Sequence, residues 1–216
     1  LDERANRLAN HLSEAGIGPG DFVGCYLTNG TEYIETLLAA FKIRAVPVNI
    51  NYRYVTEELR YLLVDSGCVA LVCDETFVPR VAEVAPAVPA LRHTVVVATD
   101  GGPVDLTDSG VPDAIGYDEA LAAASPDRLV VPGRGDDDLY VLYTGGTTGM
   151  PKGVVWRMGD AFFGCIGGGD PMRLSGPVSS PEENLERIID FDFVSFPLAP
   201  MMHAAAQWTS LSWLFC

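Results

Sequence analysis

The sequence predicts an α/β protein with layered, mostly parallel sheets flanked by helices. Three observations carry that expectation. Over the first hundred residues, short apolar runs alternate with segments whose apolar residues recur at helical spacing. Two of the runs, Val69-Ala70-Leu71-Val72-Cys73 and Thr94-Val95-Val96-Val97, are continuously apolar or β-branched, as expected of strands covered on both faces. Hydrophobic residues make up 48% of 216, enough for one sizeable core or two small ones.

The opening helix carries Leu1, Ala5, Leu8, Ala9 and Leu12 on one stripe and ends at Gly16, before the turn Gly18-Pro19-Gly20. A strand follows over Phe22 to Leu27, closed by Asn29-Gly30. Thr31 is placed to cap a helix burying Ile34, Leu37, Leu38 and Phe41. In Ala45-Val46-Pro47-Val48 the proline lacks an N–H, which demotes the strand to an edge or marks its end. Thr56 then caps a helix with Leu59, Leu62 and Leu63, and Glu57 and Glu58 suit its positive end. After the Val69–Cys73 strand, another helical stretch leads to the Thr94–Val97 strand. Asp100 to Pro112 is a loop, Tyr117 to Ala124 a short helix, and Asp127 to Asp138 a polar connector. Nothing converges Asp136, Asp137 and Asp138 on a metal, so they read as solvated linker. Gly164 to Ser180 is the least ordered part, Pro181 to Ile189 a helix, and Phe191 to Phe196 a strand. Trp208, Trp213 and Phe215 lie at near-helical spacing and are expected in the core. The chain divides near residue 135, with a first α/β part at 1–135 and a second part at 136–216.

Charge excludes whole classes of partner. Lys and Arg total 14 against 29 Asp and Glu, a formal net charge of -15. Such a surface repels nucleic acid and anionic membranes, so any phosphate site must be local. Cys25, Cys68, Cys73, Cys165 and Cys216 form no metal-type pair, and His11, His93 and His203 stand apart from them. They read as small buried hydrophobes with reduced thiols, in a soluble, cytoplasmic protein. No apolar run reaches membrane-span length. The chain starts on Leu1 inside a helical stripe and closes on Ser-Trp-Leu-Phe-Cys, so the sequence reads as a fragment.

The informative segment is Tyr143-Thr144-Gly145-Gly146-Thr147-Thr148-Gly149-Met150-Pro151-Lys152-Gly153, flanked by Leu139–Leu142 and Val154-Val155-Trp156. Glycines let a backbone approach a phosphate and point its N–H groups inward. Three threonines add hydroxyl donors, and Lys152 supplies the cation that an acidic chain needs there. Polyphosphate binding is the chemistry indicated, although any one threonine could equally serve an ordinary turn. A Walker loop needs Lys directly after Gly, then Ser or Thr opening a helix. Here Met150 and Pro151 intervene and β-branched residues follow, which predicts a hairpin between strands. The dinucleotide fingerprint is also missing, since Gly167-Gly168-Gly169 lies in a loop.

The segment Tyr143 to Gly153 resembles the phosphate-loop motif of the adenylate-forming superfamily, which includes acyl-CoA synthetases, luciferases and nonribosomal peptide adenylation domains. Leu1 to Leu12 resembles its "N-x-L-A" helix. Lys42 to Asn49 resembles its "G-A-V-x-x-P-x-N" turn, with Arg44 at the usual glycine position. Phe196 to Ala204 resembles a Pro-rich turn ending in His, with Ala204, Ala205 and Ala206 where relatives carry Gly-containing stretches; the alanines suggest an earlier helix start. Around Ile188 to Trp208 the likeness is to fatty-acyl-CoA synthetases of actinobacterial type.

The resemblance implies the N-terminal part of the family's large domain, acting on a carboxylic acid with ATP, Mg²⁺ and coenzyme A. It places Thr144, Gly145, Gly146, Thr147, Thr148, Gly149 and Lys152 on the phosphates, Thr144 also on Mg²⁺, and His203 at the acid pocket. No residue is assigned as catalytic, and Ser195 lacks a nucleophile elbow. The family's adenine-side motif, hinge and mobile C-terminal domain are not matched within the 216 residues. An adenylation domain serving a carrier protein, an aryl-CoA ligase and a non-catalytic nucleotide-binding scaffold remain alternatives.

Overall fold

A computed structural model of the chain describes residues 1–145, 149–187 and 194–215. The elements run α1 (Asp2–Glu14), β1 (Phe22–Tyr26), α2 (Thr31–Lys42), β2 (Val46–Asn49), α3 (Thr56–Ser66), β3 (Cys68–Asp74), α4 (Val78–Val84), β4 (His93–Val97), β5 (Ala114–Gly116) and α5 (Tyr117–Ala123). Then follow β6 (Leu139–Thr144), β7 (Lys152–Arg157), α6 (Met158–Gly164), α7 (Pro181–Arg187) and α8 (Ala204–Phe215). The strands form one sheet in the order β5-β4-β3-β1-β2-β6-β7. All neighbours are parallel except β6 and β7, which form an antiparallel hairpin.

Alternation along the strands explains why they are apolar throughout. Val23, Cys25 and Val72 face one core, together with Leu8 and Leu12 of α1, Leu37 of α2 and Tyr117 of α5. Tyr26, Leu71 and Val96 face the other, with Leu59 and Leu62 of α3 and Val81 of α4. Each fully buried leucine contributes about 2 kcal/mol, so both helical layers are needed to hold the sheet. A third, smaller core of Tyr140, Leu142 and Ala161 lies where α6 and α8 meet the hairpin. The first five strands follow the doubly wound order, whose crevices open at the carboxyl ends of the strands.

Several elements differ from the sequence expectation. Pro47 sits inside the sheet, between β1 and β6, not at an edge. Val46 and Ile50 donate their N–H groups towards β1, to Asp21 and Cys25, so position 47 faces β6. There the register begins only at Val48↔Val141, and the missing N–H breaks no ladder bond. Neither Thr31 nor Thr56 is a cap: Gly30 and Val55 hold those places. Glu58 accepts the Val55 N–H instead, while the Thr56 hydroxyl donates to Glu83. Along α2, Leu37 is buried as expected, but the other buried positions are Tyr33, Glu35, Thr36, Ala39 and Ala40. Packing on several sides covers more than one stripe, and Glu35 is accepted inside because Arg4 and the Tyr117 hydroxyl both donate to it. β5 and α6 were not foreseen. Val194 to Phe196 form no strand, and 191–193 lie outside the described residues, as do Ile188 and Ile189. Among the described residues no helix is long and apolar enough to cross a membrane.

Candidate phosphate-loop site

The hairpin fixes both ends of the glycine- and threonine-rich loop. Thr144 pairs with Lys152, Tyr143 with Gly153, and Tyr140 with Trp156. The pleat therefore sets Thr144 and Lys152 side by side, on the face that carries Tyr140, Leu142 and Trp156. α8 covers that face, and the Trp208 ring meets Trp156 edge-on at 6.1 Å. Tyr143 points the opposite way and donates its hydroxyl to Asp65 of α3 at 2.7 Å. Burial, with the Asp65 carboxylate second, raises this phenol well above its ordinary range, so it stays a donor. Its ring lies against Gly153, where a Cβ would come within 3.0 Å. A side chain there would press on the Tyr143 ring, which would have to shift by a few tenths of an ångström.

Thr144 and Lys152 are exposed, and among the described residues neither side chain has a hydrogen bond or ion pair. At the opposite end of the hairpin the cations differ: Arg44 is held by Asp138 and Arg157 by Asp137. Gly145 and Gly149 are exposed, with open space where a side chain would start. Neither has a positive φ, so the fold alone does not demand glycine at either place. Gly146, Thr147 and Thr148 lie outside the described residues. Among those described, no three His, Cys, Asp or Glu side chains are grouped to hold a metal. Asp137 pairs with Arg157, and Asp138, read from sequence as solvated linker, is largely buried against Arg44.

His203 is exposed and immediately precedes α8, which starts at Ala204 as the alanine run suggested. The turn before it is held by three amide side chains. Asn29 Oδ1 accepts the Met201 N–H at 2.7 Å, and Gln207 Nε2 donates to the Met201 carbonyl at 2.8 Å. Asn49 Nδ2 donates to the Met202 carbonyl at 2.6 Å and to the Tyr143 carbonyl at 3.0 Å. Its Oδ1 accepts the Tyr143 N–H at 2.6 Å. From sequence, Asn49 was visible only within a motif and Asn29 only as part of a turn, and Gln207 was passed over. The signal was a lone amide in an apolar run, as in Val46-Pro47-Val48-Asn49 and Ala204-Ala205-Ala206-Gln207-Trp208, because a buried amide must find partners.

A separate cavity of about 1120 Å³ lies between the start of α2, residues 169–175 and 195–197, and the far half of α8. Its apolar wall includes Ile34, Met172, Leu174, Trp213, Leu214 and Phe215. Trp213 and Phe215 thus border a cavity, where the sequence had placed them in the core; Trp208 packs as expected. Thr144, Lys152 and His203 do not line it. Met201 does, and this residue belongs to the amide-held turn.

The 3-oxocholest-4-en-26-oate–CoA ligase of Rhodococcus rhodochrous is 45% identical over 217 residues, covering 100% of this chain and 38% of the relative. The medium-chain acyl-CoA ligase Mig of Mycobacterium avium is 42% identical, covering 97% of this chain and 40% of the relative. The chain therefore spans about two fifths of these relatives. Among solved structures, the inhibitor-bound N-terminal domain of FACL13 from Mycobacterium tuberculosis superposes with a TM-score of 0.70 at 26% identity, covering 97% of this chain and 46% of that one. The model of one family, AMP-binding enzyme, matches residues 1–216, and the chain belongs to that family.

Proposed function

We propose that this chain supplies the phosphate grip of a cytoplasmic ligase that activates an apolar, fatty-type carboxylic acid with ATP and passes it to coenzyme A. The observation that carries the reading is the Thr144–Lys152 pair at the mouth of the glycine-rich hairpin, whose side chains have no partner among the described residues. An exposed lysine with no carboxylate partner among the described residues, in a chain of net charge -15, supports binding of an anion from outside the chain. Gly145, Gly146, Thr147, Thr148 and Gly149 complete the grip. Support for an apolar acid comes from the cavity beside α8, which would take the tail. The names of the relatives, CoA ligases for fatty and steroid acids, point the same way.

In the first half-reaction a carboxylate oxygen bonds to the α-phosphorus of ATP, and the bond from that phosphorus to the departing pyrophosphate oxygen breaks. The acid is already ionised, so no base is required. Lys152 and the loop amides hold the leaving phosphates and stabilise charge as it builds on them. Thr144 offers a neutral, hard oxygen, a donor that suits Mg²⁺ alongside phosphate oxygens. When bound, Mg²⁺ would supply charge neutralisation on the polyphosphate. His203 shapes the acid end of the site. In the second half-reaction the sulfur of coenzyme A bonds to the acyl carbon, the bond from that carbon to the AMP phosphate oxygen breaks, and the thiol proton is lost to solvent.

Carboxylate-dependent ATP–pyrophosphate exchange on the complete gene product tests this, with short, medium, long and aromatic acids. Exchange should favour the fatty acids, and Lys152→Met should lower it by about 100-fold. No exchange with any acid, from folded protein with Mg²⁺, would refute the reading. The 216 residues alone should show no turnover.

A further inference from the structure

The phosphate loop and the His203 turn sit on different elements, yet one side chain bonds to both. Asn49 lies at the end of β2, 94 residues from Tyr143 and 153 from Met202. It is 5% exposed, and its amide supplies one acceptor and two donors, all of them used. Tyr143 immediately precedes Thr144, and Met202 immediately precedes His203. We propose that Asn49 is a positioning residue that couples the phosphate grip to the acid side of the site, holding both at a fixed separation. This inference rests on the ligase reading above.

The geometry separates Asn49 from its neighbours. Gln207 is also a buried amide, but it touches the turn at Met201 and otherwise reaches the tyrosine hydroxyls of Tyr33 and Tyr140. Asn29 touches the turn at Met201 alone among the contacts described for its side chain. Gln207 thus reaches the loop strand through the Tyr140 side chain, four residues before Thr144, whereas the Asn49 amide, among these three, bonds to the strand's backbone at Tyr143, next to Thr144. Bringing a carboxylate and a phosphorus into reacting contact depends on sub-ångström placement of both groups. A link between the two holders should therefore be felt in the kinetics of both substrates, whereas a link to one holder is felt in one.

Asn49→Asp keeps shape and the acceptor for the Tyr143 N–H, but replaces both donors with an oxygen facing two carbonyls. Gln207→Glu keeps the acceptor for the Tyr140 hydroxyl and removes the donor to the Met201 carbonyl and the Tyr33 hydroxyl, leaving the Tyr143 backbone untouched. In the complete gene product, assayed by pyrophosphate exchange below the melting temperature of each variant, Asn49→Asp should lower kcat/KM for ATP and for the acid by about 10- to 100-fold each. Gln207→Glu should lower the value for the acid and leave that for ATP within about threefold. Folded Asn49→Asp protein with both values near wild type would overturn the inference. So would equal losses for ATP in the two variants, which mark a general loosening. If the wild type itself shows no exchange, the ligase reading has failed, a different result from a change confined to the variant. Hydrogen exchange on the wild type covers the case in which Asn49→Asp does not fold. Adding ATP without acid should slow the amides of 201–203 together with those of 143–145, and protection confined to 143–145 would overturn the coupling.

Discussion

Arg44 shows how much a single side chain can offset. Its φ is +60°, in the left-handed region where glycine is at ease, and the family resemblance puts glycine at this position. The guanidinium compensates by binding both Asp138 oxygens, at 2.8 to 3.2 Å, and the Pro132 carbonyl at 2.6 Å. It thereby fastens the connector that leads into β6. Arg44→Ala loses the clamp and keeps the backbone strain, while Arg44→Gly loses the clamp and relieves the strain. Backbone strain should make the alanine variant the less stable of the two by about 1 kcal/mol, read from denaturant midpoints. The opposite order would show that the turn relaxes without cost. From sequence, Arg44 was visible only as a departure from a motif. The carboxylate that compensates for it, Asp138, lies 94 residues away and had been taken for solvated linker.

Between elements, α1 is tied to the far end of the sheet by a histidine pair. His93 at the start of β4 binds Asp113 through Nδ1 at 2.7 Å, so its Nε2 accepts the Nε2–H of His11 at 2.9 Å. Burial first, and His93 second, hold the His11 pKa below its ordinary 6.5, while Glu14 and Asp113 oppose that shift. A lowered pKa in the folded state means the unfolded chain binds the proton more readily. This contribution to stability is complete above about pH 6.5 and is lost as pH falls below it. The thermal midpoint should drop between about pH 7 and about pH 5, and His11→Gln should flatten that slope. An unchanged slope in the variant would assign the acid sensitivity elsewhere. Elements with strong periodicity, such as α1 and β3, were legible in the sequence because burial alone specifies them. β5 was not: Ala114-Ile115-Gly116 has too few side chains to show a pattern, and its strand character comes from pairing with β4. Pro47 misled because which neighbour its missing N–H faces depends on register, which composition does not encode. In the candidate site, the loop and Lys152 were readable as a motif. The amide bonds that hold the His203 turn were not, since their partners lie on strands and loops far apart in the chain.

At the scale of the whole molecule, the sheet ends unequally. β5 is a three-residue edge, too short to recruit another strand readily. β7 is six residues long, with Val154 41% and Val155 62% exposed, and among the described residues it pairs only with β6. Leu214 and Phe215 of α8 add exposed apolar surface. The 216 residues should therefore self-associate as concentration rises, visible in sedimentation. Val155→Lys should suppress this without lowering the thermal midpoint. Concentration-independent monomer in both proteins would count against an adhesive edge. Strand order also sets the timing of assembly during translation. β1 to β5 pair among themselves within the first 116 residues, whereas β6 joins β2 only after the long connector has emerged. A ribosome thus delivers five strands and their covering helices while the hairpin is still inside the exit tunnel. The glycine- and threonine-rich loop is thus synthesised after the strands it leans on, and substitutions in it should leave the pairing of those five strands unchanged.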